Sequence, residues 1–110
     1  MAKFVISKRS NGNYEFTLKS SNGQVILTSQ EYTLLTACEN GIDAVRRNCK
    51  ALRRFELKSI DENQYYFNLK AANGQVIGTS VMYNNALSRD NGVAAVMSMA
   101  IPASVEFVQI

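Results

Sequence analysis

The sequence is organised around an internal duplication. The segment from Tyr14 to Ser29, YEFTLKSSNGQVILTS, returns 51 residues later, without a gap, as YYFNLKAANGQVIGTS from Tyr65 to Ser80. Five consecutive residues, Asn-Gly-Gln-Val-Ile, are identical in the two copies, and aromatic residues match on their N-terminal side. A repeat at a fixed period means that one structural unit occurs twice, so it constrains the fold more than any single motif does.

The repeat extends over most of the chain at the same offset. Further matches pair Phe4 with Phe55, Tyr32 with Tyr83, Asn40-Gly41 with Asn91-Gly92 and Ala44-Val45 with Ala95-Val96. Two copies are too few for a solenoid, and each copy is close to the size at which a separate core is marginal. We therefore expect a single domain over residues 1–110, built from pseudo-symmetric repeats at about 3–54 and 55–110 that cover each other's apolar surface.

Each repeat is predicted to begin with three antiparallel strands and to continue into a helix. Alternating apolar and polar residues, separated by Asn-Gly and related turn signals, predict the strands. In the first unit these are Lys3–Lys8, Asn13–Ser20 and Gln24–Ser29, followed by a helix at about Ala37–Cys49. In the second unit they are Phe55–Ser59, Gln64–Ala71 and Gln75–Ser80, followed by a helix at Arg89–Ala100.

The helices carry signals for their starts and for their buried faces. Thr36 and Glu39 have the spacing of a capping box, and Ser88 is the expected N-cap of the second helix. Positions at helical spacing predict the buried stripes, which are Cys38, Ile42, Val45 and Cys49 in the first helix and Val93, Val96 and Ala100 in the second. The repeated glycine, Gly41 or Gly92, predicts a point where helix and sheet approach closely.

A strand follows each predicted helix. In the second unit it is Ser104–Ile110, and in the first unit the equivalent position falls on Arg53–Phe55. Such a strand can pair with the other half of the molecule. We therefore predict an α+β fold of two tandem β-β-β-α-β repeats, which form one antiparallel-rich sheet with exchanged C-terminal strands and two helices packed on one face.

The repeated motif also resembles a known family. Both copies contain F-x-L-K-x-x-N-G-Q-V-I-x-T-S, followed by a tyrosine and then by N-G-[IV]-x-A-V in the helix, and this pattern is similar to that of the YegP-like family of small bacterial proteins. The resemblance covers Phe4 to Ala100. It implies a sheet built from two β3-α-β units with exchanged C-terminal strands, and it brings no established activity and no catalytic residues.

Composition restricts the classes of function. Hydrophobic residues make up 46% of the chain and charged residues 19%, which is typical of a soluble globular domain. No apolar run approaches the roughly 20 residues needed to cross a bilayer. The apolar stretch at the N-terminus is too short for a signal peptide. We therefore expect a cytoplasmic location and no membrane contact.

The two cysteines are expected to be structural. On one helix, Cys38 and Cys49 lie about 16 Å apart, which is too far for a disulfide bond. Two small buried residues in a reducing compartment are the simplest interpretation. A reactive or metal-binding pair is the alternative.

Two repeated pairs of polar residues are candidate binding sites. Lys19 and Lys70 precede equivalent turns and would form a symmetric anion-binding pair, unless they are simply solvated strand residues. Tyr32 and Tyr83 follow repeated Thr-Ser pairs, and such a cluster would hold a polar ligand near the pseudo-two-fold axis. The alternative for the tyrosines is aromatic packing under the loop, with the hydroxyl groups bonded to the main chain.

A basic cluster provides the third candidate site. The formal net charge of +3 is concentrated at Arg46, Arg47, Lys50, Arg53 and Arg54. These cations would bind phosphate groups in a salt-dependent manner, or they would stabilise the C-terminus of the helix. The second unit has Met97, Ser98, Ser104 and Val105 at the positions of the four arginines, so a groove formed by both units would carry the charge on one side only.

Nothing in the sequence indicates catalysis. The chain has no histidine, which is the commonest general base and transition-metal ligand. It also has no nucleophile–base pair, phosphate-binding loop or metal-ligand spacing. We therefore expect no catalytic residues, no cofactor and no metal.

The leading hypothesis is a non-enzymatic binding or protein-interaction module with an unknown protein partner. It would act through the polar face of the sheet or through the sheet edge. The alternative is a nucleic-acid-binding accessory protein that uses residues 46–54. Because a duplicated chain has already used its two-fold axis internally, we expect a monomer or a weak homodimer.

Overall fold

The computed structural model describes residues 1–109. Within that range it contains seven strands, two α-helices and one short 3-10 helix. In chain order they are β1 (Lys3–Lys8), β2 (Tyr14–Lys19), β3 (Val25–Thr28), α1 (Leu35–Asn48), the 3-10 helix (Leu52–Arg54), β4 (Phe55–Asp61), β5 (Gln64–Lys70), β6 (Val76–Ser80), α2 (Ala86–Met99) and β7 (Ser104–Gln109). The predicted last residue of the final strand, Ile110, lies outside the described residues.

The seven strands form one mixed sheet in the order β4-β5-β6-β3-β2-β1-β7. All neighbours are antiparallel except β7, which runs parallel to β1. The two units meet at the centre, where Leu27 of β3 lies opposite Ser80 of β6 and Thr28 lies opposite Thr79. The pseudo-two-fold axis therefore passes between β3 and β6, and the predicted α+β fold is confirmed.

The repeated Asn-Gly pairs close the turns that precede β3 and β6. Gly23 and Gly74 have φ values of 85° and 86°, in the left-handed region that glycine adopts without a steric penalty. The side-chain oxygen of Asn73 accepts a hydrogen bond from the Gln75 amide at 3.0 Å, which fixes the turn locally. The turn prediction is confirmed at both positions.

The helices start earlier than predicted. The N-cap of α2 is Asn85, whose side chain accepts a hydrogen bond from the Ser88 amide at 2.8 Å, so the prediction of Ser88 as the cap is wrong. Helix α1 follows Leu34 without a side-chain cap, so Thr36 lies inside its first turn and the predicted capping box is wrong. The main-chain pair of Tyr14 with Tyr32 lies shortly before α1. The helix begins soon after this pair, earlier than the capping residues in the sequence indicate.

The core lies between one face of the sheet and the two helices. The predicted stripes are confirmed, since all seven of their side chains are buried. Helix α1 packs on β2 of its own unit and on β6 of the other, while α2 packs on β5 and β3. Each helix therefore covers strands from both units, so the units share one core.

The exchange of C-terminal strands occurs in one direction only. Strand β7 crosses to β1 of the first unit, but the strand predicted at Arg53–Phe55 is wrong, because Leu52–Arg54 forms a 3-10 helix that leads directly into β4. The same residues cannot be both the last strand of one unit and the first strand of the next. The outer side of β4 consequently has no neighbouring strand among residues 1–109, and we call it the vacant edge.

Candidate functional site

The repeated tyrosines pack between the sheet and the helices. The main chain of Tyr32 pairs with that of Tyr14 through two hydrogen bonds of 2.7 Å, and its ring lies over Gly41. A methyl group at Gly41 would lie only 2.5 Å from the Tyr32 hydroxyl oxygen, and Tyr83 and Gly92 repeat this contact. Burial raises the pKa of both tyrosines. These contacts explain the repeated glycine and confirm the close approach predicted there.

The serines of the repeated Thr-Ser pairs are bonded to the main chain. The hydroxyl of Ser29 accepts a hydrogen bond from the Phe16 amide at 2.9 Å and donates one to the Gln30 carbonyl at 2.7 Å. Ser80 accepts in the same way from the Phe67 amide at 3.0 Å. These groups hold the end of the third strand of each unit. The two Thr-Ser pairs nevertheless line one open depression of ≈ 420 Å³ where the units meet, whereas Tyr32 and Tyr83 do not line it.

The structure does not bring Lys19 and Lys70 together. They lie on β2 and β5, which are separated by three strand spacings, or about 14 Å. Lys70 forms an ion pair of 2.9 Å with Glu56, and hydrogen bonds from Lys70 and Asn68 lower the pKa of that carboxyl group. An anion bound by both lysines would therefore have to span the centre of the sheet.

Part of the basic cluster holds the two units together. The Arg46 guanidinium donates to the Ala103 carbonyl at 2.6 Å and stacks 5.2 Å from the centre of the Phe4 ring. Lys50 donates to the Met97 carbonyl at 2.7 Å. Both cations thus bind main-chain oxygens near the end of α2 and the start of β7.

The other three cations of the cluster point away from these contacts. Arg47 and Arg53 are exposed, and Arg54 is half-buried. Within residues 1–109, no carboxylate lies within 4.0 Å of any of the three. Arg53 and Arg54 stand in the 3-10 helix at the start of β4, next to the vacant edge.

The open face of the sheet, opposite the helices, is polar and largely self-paired. Lys3 and Glu106 form an ion pair of 2.7 Å, and Arg9 and Glu15 form another of the same length. In the second unit Thr79 donates a hydrogen bond of 2.7 Å to Asn68, which in turn donates to Glu56. Most charged groups of this face therefore bind one another, whereas Lys19 and Lys58 have no carboxylate within 4.0 Å among residues 1–109.

The vacant edge carries exposed apolar side chains. The pseudo-symmetry makes Leu57 of β4 the counterpart of Ile6 of β1, yet Leu57 is 51% exposed and Ile6 only 2%. Leu52 and Ile60, which precede and follow Leu57, are 65% and 62% exposed. The difference has one evident cause, which is that β7 covers β1 while no strand covers β4.

A shallow depression of ≈ 280 Å³ lies between β4 and α2, and Leu52, Leu57, Asp90 and Val93 line it. In the first unit, the equivalent space between β1 and α1 is bounded by Ile42, the counterpart of Val93, and by Val105 of β7. That space is also an open depression, of ≈ 420 Å³, and β7 forms one wall of it, whereas at β4 no strand forms the equivalent wall.

Arg89 reaches into this region from the first turn of α2. Its Nη1 donates to the Lys58 carbonyl of β4 at 3.3 Å, and its guanidinium carbon lies 5.4 Å from the centre of the Tyr65 ring. The equivalent ring in the first unit, Tyr14, contacts Phe107 of β7 at 6.4 Å. Arg89 thus covers Tyr65 in the way that Phe107 covers Tyr14.

The sequence hypothesis included the sheet edge but not the residues that form it. The signal was present in the 51-residue offset, because Leu57 aligns with a residue that the last strand covers. Only the strand order shows that one edge lacks that cover.

Elsewhere in residues 1–109, no group of three or more Cys, Asp or Glu side chains is placed to hold a metal ion. Neither helix in that range is long and apolar enough to cross a bilayer.

Comparison with known proteins shows extensive similarity to uncharacterised bacterial proteins. The chain is 45% identical over 103 residues to the UPF0339 protein YegP of Escherichia coli strain K12, covering 94% of each chain. It is also 46% identical over 94 residues to a UPF0339 protein of Shewanella oneidensis, covering 86% of each.

Solved structures agree with the fold. The solution NMR structure of UPF0339 protein SO3888 from Shewanella oneidensis superposes with a TM-score of 0.92 at 40% identity, covering 98% of this chain and 92% of that one. The solution NMR structure of yegP from E. coli, described as a protein of unknown function, gives 0.91 at 42% identity and covers 98% and 93%. A family model described as a domain of unknown function, DUF1508, matches twice, at residues 10–56 and 61–106. The chain therefore belongs to the UPF0339 family of YegP-like proteins and contains two tandem DUF1508 repeats.

Proposed function

We propose that this protein is a non-enzymatic protein-interaction module that binds a partner polypeptide along the vacant edge. The supporting observation is the pair of exposed leucines, Leu52 and Leu57, that line one depression beside a strand with no outer neighbour in the described range. The unpaired N–H and C=O groups of an edge strand are a template for another strand. Proteins that bind extended peptides by strand addition use such an edge, with adjacent pockets for alternate side chains.

The edge supports this proposal better than the open face does. The charged residues of the open face are engaged in pairs such as Lys70 with Glu56 and Lys3 with Glu106. A partner would have to break these pairs in order to form its own. The exchange gains little, because exposed ion pairs contribute only about 0–1 kcal/mol each. At the edge, by contrast, a partner would bury apolar surface that water now contacts.

The cellular setting and the assembly state form part of the same proposal. Both cysteines, Cys38 and Cys49, are free and buried, which is compatible with the reducing cytoplasm in which we place the protein. Before it binds its partner, the protein is proposed to be a monomer. The single sheet formed by both units supports this, because the two-fold contact lies within the chain.

Nucleic-acid binding is the competing function, and the structure reduces the residues available for it. Arg46 and Lys50 bind main-chain carbonyls, so a phosphate-binding patch would depend on Arg47, Arg53 and Arg54. Such binding would weaken steeply with salt.

Affinity capture from lysate with matched variants tests the proposal. Leu57→Lys places a charge in the vacant edge, whereas the control Leu87→Lys changes a leucine of α2 that is 71% exposed and does not line the depression. We expect a polypeptide that is retained by the wild type and by the control but lost with Leu57→Lys, and that survives nuclease and high salt. Recovery of nucleic acid that disappears when Arg47, Arg53 and Arg54 are neutralised would replace the proposal with the competing function.

A further inference from the structure

We infer that the vacant edge accepts an extended peptide that runs parallel to β4 and places an aromatic side chain against Tyr65, where Arg89 lies in the free protein. The inference rests on the proposed function and specifies the ligand class and its orientation. It is derived from a comparison within the molecule, because the first unit presents the equivalent site in its occupied form.

The occupied site defines the geometry. Strand β7 pairs with β1 in parallel over six consecutive residues. Phe107 lies opposite Ile6, and Val105 lies opposite Phe4, on the face that the helices cover. Phe107 contacts the Tyr14 ring and Val105 lines a depression with Ile42, and both side chains stay 49% exposed. The second and fourth residues of the docked strand therefore cover the apolar side chains of β1.

Strand β4 presents the same surface. The 51-residue offset places Phe55 and Leu57 at the positions of Phe4 and Ile6. The depression lined by Leu57 and Val93 corresponds to the one in the first unit that Ile42 and Val105 line, with Val105 supplied by the docked strand. A peptide with apolar residues at its second and fourth positions thus matches both the strand and the adjacent depression.

Arg89 occupies the aromatic position when no peptide is bound. Its guanidinium lies over the Tyr65 ring and bonds the Lys58 carbonyl. In the first unit, where the strand is present, the equivalent residue is Cys38, which is fully buried. Only the unit without a docked strand therefore has an arginine at this position. It covers the ring and bonds one carbonyl of β4, and an incoming aromatic residue would displace it.

Charge distinguishes the vacant site from the occupied one. Lys58 lies at the position that faces Val108 in the occupied site, and Glu56 lies at the position that faces Glu106. Glu56 is already paired with Lys70, whereas Lys58 has no carboxylate within 4.0 Å among residues 1–109. The preferred peptide therefore has an acidic residue at the fifth position and none at the third.

The probe is a synthetic peptide with the sequence of residues 103–109 that carries the changes Glu106→Gln and Val108→Glu. It is titrated into the isotopically labelled full-length protein while amide chemical shifts are recorded. We expect saturable shifts centred on β4, with a Kd of about 1 mM or lower. The same peptide with Phe107→Ala is expected to bind about tenfold more weakly, because it lacks the aromatic side chain.

Protein variants locate the site and test the role of Arg89. Leu57→Lys is expected to abolish the shifts, and Leu87→Lys to leave them unchanged. Arg89→Ala is expected to bind about two- to fivefold more tightly, since the peptide no longer displaces a cation from an aromatic ring. A peptide that carries Val108→Lys instead of Val108→Glu is expected to bind more weakly than the probe, by a factor that decreases with salt.

Three outcomes would overturn the inference. Shifts centred on β1 and β7 would mean that the peptide replaces the molecule's own last strand. Binding that persists in Leu57→Lys would place the site elsewhere. Absence of binding would refute the parallel peptide model alone if a captured partner still depends on Leu57, and would refute the proposed function too if no such partner exists.

Discussion

At the scale of single residues, the contact between Gly41 and Tyr32 limits what the first helix can carry. A β-carbon at Gly41 would lie 2.5 Å from the tyrosine hydroxyl oxygen and 3.0 Å from the Phe16 ring. We expect Gly41→Ala to lower the free energy of unfolding by about 1–3 kcal/mol, as other overpacked cores do. Adding Tyr32→Phe removes the nearest atom and should restore part of the loss. Urea unfolding of the single and double variants measures the effect, and equal destabilisation with either residue at position 32 would contradict it.

Cys38 makes a second prediction, which concerns pH. Burial, assisted by the nearby charges of Glu39 and Glu15, raises the pKa of its thiol to about 11, whereas an unfolded thiol titrates near about 8.5. The unfolded chain therefore loses this proton first, so the stabilising effect is complete below about pH 8.5 and declines as the pH rises through the folded pKa.

Thermal unfolding between pH 8 and 9.5 tests this prediction. We expect the Tm of the wild type to fall over that range and the Tm of Cys38→Ala to fall less. Rapid alkylation of Cys38 in the native protein at pH 8 would show that the thiol is neither buried nor raised in pKa.

Much of this residue-level detail was predictable, but only where it depends on neighbours in sequence. The turn glycines and the buried cysteines follow from local pattern. The contacts of Arg46 do not, because its guanidinium bonds the carbonyls of Ala100 and Ala103, more than 50 residues away. The sequence predicts a cation at the C-terminus of a helix, whereas the tertiary structure determines which carbonyl groups that cation bonds.

At the scale of secondary-structure elements, the junction of β3 and β6 accommodates only one leucine. Leu27 and Gly78 are equivalent positions in the two repeats, and a β-carbon at Gly78 would lie 2.7 Å from the Leu27 Cγ atom. Because the two sites meet near the pseudo-two-fold axis, a leucine in one copy requires a glycine in the other. This is why the repeat departs from identity here.

Exchanging the two residues tests that interpretation. We expect Gly78→Leu to destabilise the protein by about 1–3 kcal/mol through overpacking, and Leu27→Gly to destabilise it through a cavity. The double variant should be more stable than the sum of the two losses predicts. Strictly additive losses in chemical denaturation would show that the two sites do not share one space.

The two helix starts provide a matched pair of capping variants. Asn85 caps α2, whereas the equivalent residue before α1 is Leu34, which offers no side-chain acceptor. We expect Asn85→Ala to cost about 1 kcal/mol and Leu34→Asn to stabilise the protein by up to a similar amount. Thermal melts of both variants measure this. Destabilisation by Leu34→Asn would mean that the exposed leucine contributes more than a cap does.

The elements themselves were largely predictable from sequence, and their ends were less so. Alternating and helical periodicities located all the strands of the two meanders and both helices. The helices start shortly after the Tyr14–Tyr32 and Tyr65–Tyr83 main-chain pairs, which connect residues 18 positions apart. Side-chain patterns such as Thr36 and Glu39 carry no information about such pairs.

At the scale of the whole molecule, covalent continuity removes the symmetry that the repeat implies. A symmetric assembly of two units would carry two exchanged strands, one on each edge of the sheet. Here the chain passes from the 3-10 helix Leu52–Arg54 directly into β4, so the first unit has no separate last strand. The sequence predicted strand exchange but not its absence on one side. Residues 53–55 match both the last strand of the first unit and the first strand of the second.

The vacant edge also needs protection against pairing with other copies. Edge strands avoid such pairing through charged residues and bulges. Strand β4 has Lys58 at its centre, an irregularity between Ser59 and Asp61, and the guanidinium of Arg89 against its main chain. Under the proposed function, these features would keep the apolar edge available to a partner and prevent self-association.

Removing the charges should therefore convert the proposed monomer into an oligomer. We expect the double variant Lys58→Val/Arg89→Ala to associate in a concentration-dependent manner in sedimentation velocity, because it exposes an apolar edge without its cations. The control Lys19→Val removes a lysine from an interior strand, β2, and should sediment as the wild type does. If the double variant stays monomeric at millimolar concentration, Lys58 and Arg89 do not protect the edge. The exposed apolar side chains are then insufficient to pair β4 with a second copy.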